Sequence, residues 1–190
     1  MKKINLYVML LFLCSIAACK KEEVNNPDIE DVTLDFSIET TDPIGNAAKD
    51  LFIDGEALQD FTFVIVHPDD NPNQHLIQVD VYDSKYELLT NWEPGIVYTS
   101  IRTIQKGSNI QPSLSEWKSG SFVLYISLTV GVTAGFTDIG DQYIAFRKKN
   151  SGGGYFYGWM LVNIENGEKI TIKEYALHKI ADTPIKAGEK

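Results

Sequence analysis

Three histidines, His67, His75 and His178, are the side chains best suited to proton transfer or metal binding near neutral pH. His67 and His75 flank one polar segment that also carries Asp69 and Asp70, so a His/Asp cluster on a single loop is geometrically open to the chain. Solvated residues of a surface loop are the plainer reading. His178 has no evident partner, and nothing in the three spacings brings all the histidines to one zinc ion. Ser115-Glu116-Trp117-Lys118 has the Ser-x-x-Lys spacing of serine nucleophiles served by a lysine. The Ser-Asp-Asn and Lys-Thr-Gly elements that accompany that chemistry are absent, so the match is a chance one. No nucleophile elbow, phosphate loop or dinucleotide fingerprint occurs. Gly152-Gly153-Gly154 joins strand to strand and so lacks a helix N-terminus to hold an anion. Carboxylates are plentiful, but no glycosidase pair stands out among them. A non-enzymatic role is the expectation.

Aromatic residues offer a different chemistry. Tyr155, Tyr157 and Trp159 alternate along one segment and share a face, where aligned rings could stack on sugars. If both faces of that strand are covered, the same rings serve the core, and this is the favoured expectation. Trp92, followed by Glu93-Pro94-Gly95, and Trp117 lie in turn-like segments and are the better exposed platforms. Trp92, Trp117, Tyr157 and Trp159 are thus the candidate ligand-binding residues.

The elements that must position these groups read as strands. Val32, Leu34, Phe36 and Ile38 alternate with Thr33, Asp35, Ser37 and Glu39, the period of a half-buried strand. Ile77, Val79 and Val81 repeat the pattern, and Phe61 to Val66 is apolar on both faces apart from Thr62. Ser121 to Val130 places Phe122, Leu124, Ile126, Leu128 and Val130 on one side, with Val123 and Tyr125 opposite, as in a central strand covered on both faces. Strands are expected again over 143–147, 155–164 and 169–176, with a less regular one near 96–104. Asn166-Gly167 predicts a type I′ hairpin. Helix signal is confined to Pro112–Lys118, where Ser113 and Glu116 have capping-box spacing. About seven to nine short strands joined by hairpins predict an all-β fold, an antiparallel β-sandwich or its jelly-roll variant.

Residues Met1 to Cys19 state an address. Lys2 and Lys3 precede an apolar run from Ile4 to Ala18, too short to span a bilayer core of about 30 Å but suited to a signal peptide. Ile16-Ala17-Ala18-Cys19 resembles the lipobox of bacterial lipoproteins. That resemblance implies cleavage before Cys19 and acylation of the cysteine, with palmitate-type chains as the membrane contact. Lys20-Lys21-Glu22-Glu23 resembles the export signal of Bacteroidetes-type surface lipoproteins, implying the outer membrane and its cell-surface leaflet. The expected organisation is a signal peptide over 1–18, a lipidated flexible tether over 19–30 and a β-sandwich domain over 31–190. With Lys2 and Lys3 removed, the formal charge of −9 becomes −11, which argues against nucleic acid and against docking on anionic lipid. The two cysteines are Cys14, in the signal core, and Cys19, so packing rather than a disulfide must hold the domain.

The stretch from Asp141 to Gly188 resembles an uncharacterised domain of secreted and surface-anchored bacterial proteins. The likeness lies in Tyr143-Ile144-Ala145-Phe146-Arg147, Tyr157-Gly158-Trp159, Ile170 to Ala176 and the Thr183–Gly188 ending. It implies the fold and an extracellular setting, and no catalytic activity. Such domains often begin with an acidic, glycine-containing loop entering an aspartate-led aromatic strand. Here that region is Phe52 to Phe63, and Asp54, Glu56 and Asp60 could supply three of the six to eight oxygens that calcium takes. Phe52 and Ala57 depart from the pattern, which makes an acidic turn leading into a buried strand the favoured reading, with no cofactor. Glycan or another surface protein is the expected partner.

Overall fold

The computed structural model describes residues 26–40, 45–68, 74–91, 99–127, 133–136 and 140–190, with the side chains of 133–135 excepted. Among these residues there is no helix. The strands, in chain order, are β1 (Ile29–Glu39), β2 (Asn46–Leu51), β3 (Phe61–Val66), β4 (His75–Val81), β5 (Tyr86–Asn91), β6 (Ser100–Ile101), β7 (Thr103–Ile104), β8 (Asn109–Ile110), β9 (Trp117–Lys118), β10 (Ser121–Ser127), β11 (Thr133–Gly135), β12 (Gln142–Lys149), β13 (Tyr155–Glu165), β14 (Lys169–His178) and β15 (Ile185–Lys186). Thirteen of them form one sheet in the order β1-β14-β13-β12-β5-β6-β10-β4-β3-β2, with β7, β9 and β11 as side branches. The pairing is antiparallel except between β6 and β10, where Ser100 lies opposite Val123.

The all-β expectation holds, and the two halves of the sheet face each other as in a sandwich. They are continuous through β5, which pairs with β12 on one side and β6 on the other, so the sheet curls nearly into a barrel. At the seam, β1 and β2 meet through side chains. Lys49 Nζ donates to the Ser37 carbonyl at 3.5 Å and sits 4.6 Å from the centre of the Phe36 ring.

Alternation accounts for the interior. Phe36 and Ile38 of β1, Phe61, Phe63 and Ile65 of β3, and Ile77 and Val79 of β4 point inward and meet Ile144, Phe146, Met160 and Val162 from the other half. Edge-to-face contacts order the aromatic part, with Phe61 5.2 Å from Tyr86 and 6.0 Å from Phe146. Three ladders carry register shifts, β1–β14, β4–β10 and β13–β14, and two strands change their inward face as a result. On β10 the register slips between Val123 and Tyr125, so Leu124 and Tyr125 both reach the interior, while Ile126 leaves the face it was expected to share with Phe122. Leu128 and Val130 lie outside the described residues. On β14 a slip at Lys173 transfers the inward face from Ile170 and Ile172 to Tyr175 and Leu177.

A second apolar cluster covers the outer face of β12, β13 and β14. Ile110 of β8 and Ile185 and Ala187 of the C-terminal strap lie over Tyr143, Ala145, Tyr157, Trp159 and Ala176. The strap is pinned by the β8–β15 pairing, by Gly107 N–H to the Ala187 carbonyl at 2.8 Å, and by Asn26 N–H to the Lys190 carbonyl at 2.8 Å. β1 begins at Ile29, two residues ahead of Asp31.

The expected hairpin forms. Asn166 and Gly167 have φ of 54° and 73°, and Glu168 N–H returns to the Glu165 carbonyl at 3.0 Å. The capping box does not form. Glu116 takes φ of 69°, its carbonyl accepts both Thr90 N–H (3.0 Å) and Thr90 Oγ1–H (2.8 Å), and its carboxylate lies 3.7 Å from Lys118 Nζ. Pairing of β9 with β5 overrides the local helical signal.

Candidate ligand-binding surface at the β12–β13 hairpin

The eight-pair ladder between β12 and β13 ends in the turn 150–154 and puts odd-numbered residues on the outer face. Tyr157 and Trp159 are 1% and 0% exposed, so neither is a platform for a ligand. The physical reason is the strap: Trp159 Nε1–H donates to the Glu189 carbonyl at 3.2 Å, and its ring meets Tyr143 edge-to-face at 5.3 Å. The expectation that both faces of this strand are covered is correct, and it removes these two rings from the binding candidates. Trp92 lies outside the described residues.

Trp117 and Tyr155 sit where the strap's cover ends, and both are half-buried. Arg147 joins them, its Cζ 3.8 Å from the Tyr155 ring centre and 5.0 Å from that of Trp117. The guanidinium is held from the side by Glu87 on β5, which accepts from Nε at 2.5 Å and also contacts Nη2. Trp117 leans on Tyr157 at 5.9 Å. Burial pushes the Tyr157 phenol up, with the Arg147 guanidinium opposing it, so the ring stays neutral and donor-competent. The result is a rigid row of flat groups with charge at its rim. Flat groups edged by charge in this way suit stacking against the apolar face of a ring. Arg147 escaped the sequence reading, although alternation from Tyr143 and Ala145 already assigns it to this face.

The turn end of the same hairpin lines a groove of about 430 Å³ together with Glu56 and Lys85. Lys148, Lys149, Asn150, Ser151 and Phe156 form the hairpin's side of it. The acidic loop, whose Asp54, Glu56 and Asp60 offered three oxygens to calcium as the less favoured reading, lies across the groove and is occupied otherwise. Asp54 Oδ2 takes Lys148 Nζ at 2.7 Å and Tyr86 Oη–H at 3.3 Å, and Glu56 takes Lys85 Nζ at 2.8 Å. Burial raises the Asp54 carboxyl, but Lys148 and the Glu56 N–H together pull it below the usual carboxylate range. Asp60 lies behind them, 0% exposed, with Oδ2 accepting the Ile53 N–H at 2.6 Å and Oδ1 unpartnered. Burial raises its carboxyl, opposed by the Ile53 N–H and reinforced by Asp54. The three carboxylates therefore do not converge, and among the described residues no group of three or more His, Cys, Asp or Glu side chains is arranged to hold a metal. Lysines drawn from distant strands neutralise the acids, which local sequence spacing did not reveal.

At the other end of the barrel the structure does unite two histidines. His67 Nε2 and His75 Nδ1 are 3.0 Å apart. Asp69 and Asp70 lie outside the described residues. His178 is remote, its Nδ1 accepting the Ile180 N–H at 3.1 Å. Ser115 lies in the irregular segment ahead of β9 and not on a helix, unlike the serine of that motif. Cys19 and Lys20, Lys21, Glu22 and Glu23 fall outside the described residues. No family model matches the chain, and no curated protein or solved structure matches it either.

Proposed function

We propose that this chain is a lipoprotein of the outer membrane, acylated at Cys19 and displayed at the cell surface, whose β domain binds polysaccharide without catalysing a reaction. The lipobox-like Ile16-Ala17-Ala18-Cys19 and the following Lys20 to Glu23 support the address. Two or three acyl chains, at roughly 0.8 kcal/mol per buried methylene, suffice for stable anchoring. The observation that carries the binding reading is Arg147 stacked between the half-buried rings of Trp117 and Tyr155 and braced by Glu87. A sugar face stacking there would gain CH–ring contact and charge-assisted hydrogen bonds from groups that are already ordered, so little entropy is lost on binding. A calcium requirement has little support, since Asp54 and Glu56 are paired with lysines. The test is a glycan array probed with the full chain and with Trp117→Ala and Tyr155→Ala, with and without a chelator. Retention of all glycan signal in both variants would refute the site. Labelled palmitate that is still incorporated by Cys19→Ser would refute the anchor.

A second reading is an accessory subunit of a surface complex. Phe52, Leu58 and Tyr82 are large, exposed and grouped about one loop, since Tyr82 N–H donates to the Asp60 carbonyl at 3.2 Å. Native mass analysis of detergent extracts showing only a partner-free monomer would count against it.

A further inference from the structure

His67 follows the last residue of β3 and His75 opens β4, so two antiparallel neighbours bring the rings together. The rings stand perpendicular, at 89°, with centres 4.6 Å apart. His67 is 4% exposed and His75 half-buried. The β13–β14 turn walls the pair in. A Cβ on Gly167 would lie 2.9 Å from His75 Cβ and 2.6 Å from the Tyr125 ring, and the Gly167 carbonyl oxygen is 3.5 Å from His67 Nε2. Glycine is required there twice over, for its φ of 73° and for this close approach. His67 Nε2 thus has both the His75 Nδ1 atom and the Gly167 carbonyl oxygen beside it.

We propose that His67 Nε2 and His75 Nδ1 form a binding site for a divalent late-transition-metal ion, Cu(II) above others. The two nitrogens are close enough to share one ion. With metal–nitrogen bonds of about 2.0–2.1 Å, nitrogens 3.0 Å apart subtend roughly 91–97° at the metal, whereas a tetrahedral zinc ion would need a separation of roughly 3.3 Å. A near-right angle is the tetragonal geometry of Cu(II) and Ni(II), and Cu(II) heads the affinity order. Coordination replaces the hydrogen bond between the rings. The proton held there passes to the distal nitrogen of its own ring, giving His67 protonated at Nδ1 and His75 at Nε2, with no net release from the neutral pair. Burial and the facing His67 ring push the His75 pKa down, with Glu168 opposing. The Gly167 carbonyl and solvent can complete the coordination, which leaves the ion open to small ligands.

The test uses the metal-free full chain in detergent, titrated with copper chloride and followed by electron paramagnetic resonance at neutral pH. The expected result is one Cu(II) per chain with hyperfine structure from two imidazole nitrogens. His75→Gln and His67→Gln should each weaken binding at least about tenfold, while His178→Gln leaves it unchanged. His67 is the more buried, so His75→Gln is the deciding variant, with thermal unfolding confirming its fold. Copper should raise the unfolding temperature of the parent and not of His75→Gln. Absence of stoichiometric binding by the parent, or equal binding by parent and His75→Gln, overturns the proposal.

Discussion

Replacing Gly158 by alanine would place a methyl group 2.5 Å from the Ala176 carbonyl oxygen and 2.5 and 2.7 Å from two atoms of the Phe146 ring. Ordinary contact begins near 3.4 Å, so room of roughly 0.9 Å must be found on both sides. Neither neighbour yields easily. Ala176 belongs to the β14 ladder opposite Trp159, and Phe146 is fully buried against Phe61. No positive φ is involved at Gly158, so the cost is steric. Overpacking of a close-packed interior costs about 1–3 kcal/mol. Loss of unfolded-chain freedom returns about 0.4–1 kcal/mol, leaving a net destabilisation of roughly 1–2 kcal/mol. Urea unfolding with a slope of about 1–3 kcal/mol/M should then show a midpoint lowered by about 0.3 M or more. Gly152→Ala is the comparison. Its Cβ meets only Asn150 Nδ2, at 3.7 Å, and stability should change by less than about 0.5 kcal/mol. Equal midpoints for Gly158→Ala and the parent would refute the packing argument, and with it the view that Tyr157-Gly158-Trp159 is a structural motif.

Asp60→Asn should alter the pH dependence of stability. The raised carboxyl of Asp60 means that the folded state holds a proton which the unfolded state has lost, so its contribution is full below about pH 3.9 and fades as pH rises through the folded value. Unfolding midpoints at pH 4 and pH 7 should show the variant gaining on the parent at the higher pH, and a pH-independent difference would sink the assignment. Arg147→Lys keeps the charge but loses the planar stack on Tyr155 and Trp117 and the paired contacts to Glu87. A loss of roughly 1–2 kcal/mol is expected, together with a shift in tryptophan fluorescence. Unchanged emission and stability would show that the guanidinium does not order the aromatic row.

Where side-chain alternation is strict, the strands and their buried faces were legible in the residues. Phe61, Phe63 and Ile65 point inward as their spacing predicts, and Asn166-Gly167 turns as its φ preferences require. Reading failed where geometry depends on partners distant in sequence. A bulge at Leu124 or Lys173 answers to the neighbouring strand's register, which local period does not encode. Trp159 read as a core ring with ligand binding as the alternative, and what covers it, Glu189 of the strap 30 positions later, could not be read from local spacing. The acidic loop looked like a cation cradle because Lys148, which neutralises Asp54, comes 94 residues further on. The histidine pair needed only the register of two adjacent strands, and was the most recoverable part of the chemistry.

The bond between Asn26 N–H and the Lys190 carbonyl gives the molecule a compass. Asn26, the first described residue, and Lys190 meet at one pole, while Thr40 N–H, bonded to the Glu168 carbonyl, marks the opposite pole beside the histidines. The 11 residues of β1 separate them by roughly 35 Å. The histidine pair therefore lies at the pole far from Asn26 and Lys190. A tag appended after Lys190 would pry at the strap, so reporters belong on the β13–β14 side.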